Sequence, residues 1–316
     1  MIGVHPSTVG REIRRNGSIR GIYRHEQAQK QANKKCRTSH VHFSITPEQW
    51  SAIDDCIIAK HSPEQISGRI KREMGFSVSH ESIYLHISKD AKAGGWLYRS
   101  LRQCRKKRRL RRPKKEERRG CIKNRVGIEL RPDIVDDRNR IGDWEIDTIV
   151  SRKSKPVLIT AVERCSLATK IIRVDCKEAP VVSKALVNEL SYVKDYVKTI
   201  TGDNGKEFAG HELISKGLDA DFYFARPYHS WERGTNENTN GLIRQYFPKK
   251  TDFSKVTNKD VMIAEWEINN RPRKSLGYRT AAEIFEEQTG KSILTNDYIG
   301  IISQKLYFKC KVALTT

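Results

Sequence analysis

The chain has 316 residues, with 60 lysines and arginines against 38 aspartates and glutamates, and therefore a formal net charge of +22. At about 150 residues per domain, this length predicts about two domains with a buried core. The charge indicates a polyanionic partner. The sequence has no long apolar run and no signal-peptide segment, so we expect a cytoplasmic protein without a membrane partner. None of its seven cysteines forms a Cys-x-x-Cys pair, which argues against disulfides and zinc.

Residues 1–40 contain one amphipathic stretch followed by a polar segment. Ser7 is a candidate N-cap, Val9 and Ile13 lie four residues apart, and Gly17 marks the end of the stretch. This pattern is typical of a DNA-recognition helix, but the helix that would precede it is missing from the chain. We therefore interpret residues 1–40 as a partial, truncated helix-turn-helix and a linker.

Residues 41–98 contain three helix starts. Thr46 and Ser62 each precede proline and, three positions on, glutamine, which predicts a capping box, and Ser79 is a third N-cap. Three short helices with a tight turn before the last predict a helix-turn-helix DNA-binding domain, and a helical bundle without DNA contact is the alternative. If the third helix enters the major groove, its candidate contacts are His80, Glu81, Ser82 and Tyr84.

Most of the excess charge lies in residues 99–125, which have a net charge of +13, whereas residues 141–247 have equal numbers of acidic and basic residues. Like charges at this density repel one another, so we expect a basic linker, either flexible or a fraying helix. It is either a solvated spacer or an arm that follows DNA phosphates without reading sequence. The candidate phosphate contacts are Arg105, Lys106, Lys107, Arg108, Arg109, Arg111 and Arg112.

Residues 126–285 predict a second, α/β domain. Apolar or alternating runs predict five strands, and amphipathic stretches predict helices that cover a central mixed sheet. The predicted strands are 142–150, 156–162, 169–174, 196–201 and 221–225, and the predicted helices lie at about 182–193, 206–216 and 235–247. Residues 286–316 are a C-terminal tail without an assigned role.

Several acidic residues stand where chemistry is expected. Asp203 follows the fourth predicted strand, and strand ends are where α/β proteins place active sites, although its Gly-Asp-Asn-Gly segment is also good turn chemistry. Glu237 begins the last predicted helix and shares a face with Asn240 and Arg244, although a glutamate there also stabilises the helix dipole. The first strand carries three more candidates on one face, which its alternation does not distinguish: Asp143, Glu145 and Asp147.

Longer motifs are shared with a known family. They are residues 62–73 (SPEQISGRIKRE), 78–87 (VSHESIYLHI), 142–149 (GDWEIDTI), 203–211 (DNGKEFAGH), 226–228 (RPY), 231–249 (WERGTNENTNGLIRQYFPK) and 271–285 (RPRKSLGYRTAAEIF). Through these motifs the chain resembles the transposases of the bacterial insertion sequence 30 family over about residues 4–285. The resemblance implies a ribonuclease-H-like integrase catalytic core with a mixed five-stranded sheet over residues 126–285.

The resemblance also implies the site. It assigns an Asp-Asp-Glu catalytic triad, with 33 residues between its last two members, to Asp147, Asp203 and Glu237. As hard oxygen ligands, these carboxylates would bind Mg²⁺ or Mn²⁺, and two ions suit an in-line displacement at phosphorus. Arg233 and Arg244 are expected to hold phosphates nearby. Ile146 stands where the family motif has glycine, and it would put a β-branched side chain beside the acid.

We therefore expect a DNA transposase that binds the ends of its element, cleaves DNA and transfers the cut strand to a target. The expected partners are double-stranded DNA, as terminal repeats and target, and further copies of the chain assembled on that DNA. One alternative is a catalytically decayed transposase that acts only as a helix-turn-helix DNA-binding protein. The other is a metal-dependent nuclease that cuts without joining.

Overall fold

The structure, a computed structural model, describes residues 4–16, 22–39, 45–102, 122–151, 153–226, 229, 232 and 234–294. The chain forms two compact units, residues 1–49 and residues 50–316. The first unit contains the helices α1 (Pro6–Asn16), which confirms the predicted helix, and α2 (His25–Ser39). The sequence pattern does not predict α2 because it has no periodic apolar face. Within the described ranges, no helix is long and apolar enough to cross a membrane.

The three helices predicted next are confirmed as α3 (Pro47–Ile58), α4 (Pro63–Glu73) and α5 (His80–Lys92). Both capping boxes are present, and Ser79 Oγ accepts the Ser82 N–H at 3.1 Å. α5 ends at Lys92, more than a turn beyond its predicted end. Each helix buries a pair of isoleucines four residues apart, namely Ile53 and Ile57, Ile66 and Ile70, and Ile83 and Ile87.

The α/β domain is built on one five-stranded mixed sheet. Its strands are β1 (Asp143–Val150), β2 (Val157–Glu163), β3 (Thr169–Val174), β4 (Thr199–Gly202) and β5 (Asp221–Phe224). Their order is β3-β2-β1-β4-β5, with β2 antiparallel to both neighbours and β1, β4 and β5 parallel. The predicted fold class is thereby confirmed. β4 is shorter than predicted because residues Ser191–Tyr196 form a 3₁₀ turn.

Helices cover both faces of the sheet. They are α6 (Ile134–Asp137), α7 (Ala179–Leu190), α8 (His211–Leu218), α9 (Gly234–Tyr246), α10 (Asn258–Asn269) and α11 (Ala281–Thr289). Trp144 and Ile146 pack on the α7–α8 side, and Ile149 packs on the α9–α10 side. For the helix predicted over 206–216, the predicted start is wrong. Residues Lys206–Phe208 form a 3₁₀ turn, and Gly210 separates it from α8.

α10 covers the outer edge of β3 with polar side chains. The Ile171 N–H donates to Glu265 Oε2 at 2.7 Å, and the Thr169 N–H donates to Asn269 Oδ1 at 2.8 Å. Lys170 Nζ lies 2.9 Å from Glu265 Oε1. Burial alone would lower the pKa of Lys170, but the neighbouring carboxylates, with Glu265 the strongest, raise it above its ordinary value. α10 is therefore fixed to the sheet by charge-assisted hydrogen bonds as well as apolar contact.

The helix-turn-helix contacts the C-terminal part of the α/β domain through α4. Two short strands, β6 (Pro272–Arg273) and β7 (Arg279–Thr280), form a hairpin just before α11. Arg69 donates to both carboxylate oxygens of Glu283, at 2.9 and 2.5 Å. Gly68 lies against the ring of Tyr278, where an added Cβ would come within 2.3 Å of Cδ1. The predicted domain boundary at residue 285 falls inside α11, and Ile293 still belongs to the core.

The Arg69–Glu283 pair predicts a pH-dependent contribution to stability. The Arg69 guanidinium lowers the pKa of Glu283 from 4.5 to about 2. Because the pKa is depressed in the folded state, this contribution is present above about pH 4.5 and disappears as the pH falls towards 2. The carboxylate is partly exposed, so we expect at most about 1 kcal/mol.

Glu283→Gln tests this contribution by urea unfolding, since glutamine retains the capping box with Thr280. The stability difference from wild type should be measurable at pH 6.5 and should vanish near pH 2. Glu286→Gln, on the exposed side of the same helix, is the matched control and should show no such difference. A Glu283→Gln deficit that stays constant across this range would contradict the ion-pair account.

Candidate active site

The parallel register of β1 and β4 brings two of the predicted carboxylates to the same level of the sheet. Asp143 pairs with Thr199 and Glu145 pairs with Thr201. β4 ends at Gly202, so continuing the register by one two-residue step places Asp147 opposite Asp203. Both side chains are half-buried. Adjacent strands therefore present two carboxylates at one sheet end, where α/β proteins bind ligands.

The structure distinguishes the three acids that alternation leaves equal on β1. Asp143 is buried and accepts two 2.9 Å hydrogen bonds from Arg140. Glu145 is fully buried and accepts a 2.7 Å bond from Arg164. Both therefore have structural ion-pair roles. Asp147 reaches the surface, which supports its choice as the site residue.

Asp203 is held in a tight turn. Its Oδ1 accepts the Gly205 N–H at 2.8 Å, and Asn204 Nδ2 donates to the Ala225 carbonyl at 2.6 Å. A Cβ at Gly205 would lie 2.3 Å from Glu207 Oε2 and 2.7 Å from Asp203 Oδ1. The turn and the site interpretations of this segment are thus compatible, because the turn orients the carboxylate.

Glu207 is a buried acid that no sequence pattern distinguishes from other acidic residues. It accepts a 2.8 Å hydrogen bond from Thr148 Oγ1 and forms a 2.7 Å ion pair with Lys177. Thr148 follows Asp147, and Glu207 closes the turn that begins at Asp203. Glu207 therefore ties the two strand ends together from the opposite face of the sheet.

α9 lies across β1 and β2 and brings Glu237 to the same region. Asn240 Nδ2 donates to Asp147 Oδ2 at 2.8 Å, and Thr160 Oγ1 donates to Asn240 Oδ1 at 3.3 Å. One turn earlier, the Asn236 N–H donates to Glu145 Oε2 at 3.1 Å. Glu237 lies between these two anchors and is exposed. Its spacing of three from Asn240 is the sequence signal for this arrangement.

Three carboxylates on neighbouring elements are the donor set that Mg²⁺ and Mn²⁺ prefer, so the residue types fit the predicted metal. Among the residues that the structure describes, no group of three His, Cys, Asp or Glu side chains is close enough to hold a metal ion. The triad and its metal therefore stay predictions.

Ile146 does not crowd the acid. The side chain is fully buried on the α7–α8 side of the sheet, where it approaches Gly202, and an added Cβ there would lie 3.4 Å from Ile146 Cγ1. Asp147 is on the opposite face because successive strand residues alternate. The expectation that a β-branched residue here sits beside the acid is therefore wrong.

Known proteins are similar in sequence to this chain over most of its length. No protein-family model matches the chain. It is 47% identical over 287 residues to the transposase for insertion sequence element IS4351 of Bacteroides fragilis, covering 90% of this chain and 88% of that protein. It is 34% identical over 291 residues to transposase InsI for insertion sequence element IS30A of Escherichia coli strain K12, covering 89% and 76%. The chain belongs to the IS30 family of transposases.

Other alignments extend the comparison. The transposase for IS1086 of Cupriavidus metallidurans is 34% identical to this IS30-family chain over 295 residues, covering 90% of it and 87% of the relative. Among solved structures, the catalytic core domain of BIV integrase aligns with a TM-score of 0.38 at 20% identity, over 47% of this chain and 95% of that one. A simian T-cell lymphotropic virus intasome aligns with a TM-score of 0.39 at 18% identity, over 56% and 60%.

The predicted DNA contacts of this IS30-family chain fall into three groups. On α5, His80, Glu81 and Tyr84 are exposed, whereas Ser82 is half-buried and its Oγ lies 3.1 Å from Ser79 Oγ in the helix cap. The Ser82 hydroxyl is therefore engaged in the helix cap, and its contact with DNA stays a prediction. The remaining predicted contacts, except Arg244, lie outside the described residues: Arg105, Lys106, Lys107, Arg108, Arg109, Arg111, Arg112 and Arg233.

Arg244 has a structural role in the described contacts. Its Nη2 donates to the Val150 carbonyl at 3.0 Å and its Nη1 to the Phe247 carbonyl at 3.4 Å. Burial lowers the pKa of Arg244. The guanidinium thus joins the end of β1 to the end of α9, and a phosphate contact there stays a prediction.

Proposed function

We propose that this IS30-family chain is a DNA transposase that cuts DNA at the ends of its element and joins the cut strand to target DNA. The observation that carries the proposal is the convergence on one sheet end of Asp147, Asp203 and the helix that bears Glu237. Names of relatives support the reaction class, since IS4351 and IS30A encode transposases. The α5 face would bind double-stranded DNA in the major groove.

Asp147, Asp203 and Glu237 would hold Mg²⁺ or Mn²⁺, with two ions as the expected number. Bound there, the metal would stabilise the attacking and leaving oxygens of an in-line displacement at phosphorus. The protein itself orients the carboxylates that would bind the metal. The Asn240 amide fixes one oxygen of Asp147, and the Gly205 N–H fixes one oxygen of Asp203. Both carboxylates therefore need little reorganisation before the reaction.

The reaction has two steps at phosphorus. In the first step water attacks phosphorus at the element end, so that a new P–O bond forms, the bond from phosphorus to the 3′ oxygen breaks, and a 5′-phosphate and a free 3′-OH result. That 3′-OH then attacks a target phosphodiester, which forms one P–O bond and releases one target 3′-OH. Neither step requires a covalent bond to the protein, so the mechanism needs no serine or tyrosine nucleophile. Pairing two element ends would require at least two copies of the chain on DNA.

The test is a strand-transfer assay with labelled DNA that carries the element's terminal repeats and a supercoiled target. In Mg²⁺ or Mn²⁺ we expect cleaved ends and joined products, and EDTA should remove both. Cleaved ends without joined products would favour a nuclease. Specific end binding without cleavage would favour a DNA-binding protein that has lost catalysis, and equal cleavage in EDTA would contradict the metal.

A further inference from the structure

The basic linker ends at the turn that carries Asp203, one of the proposed triad carboxylates. Arg125 Nη1 donates to Asn204 Oδ1 at 2.7 Å, and Asn204 is the residue after Asp203. The chain is held there because the Phe224 N–H donates to the carbonyl of Val126, the residue after the linker, at 2.9 Å, which attaches this segment to the edge of β5. Arg125 itself is exposed. Its guanidinium is therefore both fixed near the site and open to solvent.

The same linker begins against α9, the helix that carries Glu237. Arg102 Nη1 lies 3.3 Å from Asn238 Oδ1, its hydrogen-bond acceptor, and Asn238 follows Glu237. An added Cβ at Gly241 would lie 2.1 Å from Arg102 Nη2, so the guanidinium lies directly on α9. Gln245 Nε2 donates to the Ser100 carbonyl at 3.5 Å. Positions 238, 241 and 245 form one helix face, and the linker start runs along it.

The positive charges of Arg102 and Arg125 have an electrostatic role at this site. Three carboxylates at one sheet end repel the phosphates of an approaching strand, and fixed guanidiniums on the same turn and the same helix offset this repulsion. Arginine also matches phosphate with two parallel N–H donors. In the two hydrogen bonds given above, Arg102 donates to the amide oxygen of Asn238 and Arg125 donates to that of Asn204. Neither of these acceptors is a carboxylate. A neutral partner leaves the positive charge available to an anion.

We propose that Arg102 and Arg125 bind DNA backbone phosphates beside the triad carboxylates, so that the two ends of the linker position the strand to be cut. The proposal rests on the function proposed above. In this proposal the linker contributes to the active site through residues at its two ends and not through its central basic run. The contacts are independent of base sequence and act as positioning contacts for the reaction.

Binding under varied salt is the direct test. The full chain and its variants Arg102→Gln, Arg125→Gln and the double variant are titrated by fluorescence anisotropy against a duplex carrying the terminal repeat, in Ca²⁺ at 50–200 mM salt. Each lost phosphate contact should reduce the slope of log K against log salt by about 0.9, and the double variant by about 1.8. Lys194→Gln removes an equal charge from an exposed site at the opposite end of β4 and should leave slope and cleavage unchanged.

Two further measurements separate phosphate binding from a structural role. Asn204→Ala and Asn238→Ala remove the hydrogen-bond partners but keep both arginines, so the salt slope should remain that of wild type. Single-turnover cleavage in Mg²⁺ should fall about ten- to a hundredfold in each Arg→Gln variant. Arg→Lys should restore the slope but only part of the rate, since lysine keeps the charge and loses the bidentate geometry.

Wild-type salt slopes in both Arg→Gln variants would overturn the proposal. So would a loss of slope in Asn204→Ala equal to that in Arg125→Gln, because the effect would then come from the turn. An Asp203→Asn variant read in the same cleavage assay separates this failure from that of the proposed function. If Asp203→Asn is inactive while the arginine variants behave like Lys194→Gln, only the phosphate contacts fail.

Discussion

Asp203→Asn is expected to lower strand cleavage and strand transfer in Mg²⁺ by at least about 10³-fold, which corresponds to about 4 kcal/mol of transition-state stabilisation. Asparagine has the same size and can still accept the Gly205 N–H, so the turn should persist. What is lost is the negative charge that a divalent cation requires. DNA binding in Ca²⁺ should change by less than about threefold, because DNA affinity comes chiefly from phosphate contacts elsewhere.

The matched control is Asp219→Asn. Asp219 is exposed at the end of α8 with a φ of 56°, a conformation that asparagine adopts readily. This variant makes the same chemical change away from the site and should retain wild-type strand transfer. If Asp203→Asn kept more than about a tenth of the activity in Mg²⁺, the assignment of Asp203 to the triad would be wrong.

Glu145→Gln should be the most destabilising of the isosteric substitutions on β1. Glu145 is 0% exposed and its partner Arg164 is 4% exposed, so removing the carboxylate charge leaves a guanidinium buried with less compensation. Breaking a buried pair in this way costs about 3–5 kcal/mol. Glutamine also weakens the bond from the Asn236 N–H, which anchors the start of α9.

Urea unfolding at pH 7 measures this effect. Asp175→Asn is the control, because Asp175 is 87% exposed in its pair with Arg173 and should contribute less than about 1 kcal/mol. The double variant Glu145→Leu/Arg164→Met should recover much of the loss, since an apolar pair avoids the desolvation cost. Equal deficits in Glu145→Gln and Asp175→Asn would contradict a strong buried interaction.

Local sequence pattern predicts the sheet better than it predicts the helices around it. β1, β2 and β3 are runs of apolar and β-branched residues whose tendency to form strands is read directly from the chain. α10 is not predicted because its buried face is mixed, with Glu265 and Asn269 among its apolar residues. Those polar residues are in the core because β3 supplies their hydrogen-bond partners, a long-range fact that periodicity does not contain.

Prediction of the site from local sequence pattern has the same limit. Strand alternation places Asp143, Glu145 and Asp147 on one face and gives no reason to prefer one of them. The distinction depends on arginines elsewhere in the chain, which neutralise the first two acids. Only the resemblance to a known family selects Asp147 from sequence. The sequence does not single out Arg102 and Arg125, because a charge run shows how much charge is present and not where the ends of the run are attached.

The edges of the sheet have a consequence for assembly. On β3, the outward backbone groups of Thr169 and Ile171 are bonded to side chains of α10, and on β5 the Phe224 N–H is bonded to Val126. A second molecule therefore finds these backbone groups already paired and cannot extend the sheet by adding a strand there. These covered positions make the two edges poorer templates for strand addition, and strand-mediated aggregation is disfavoured there.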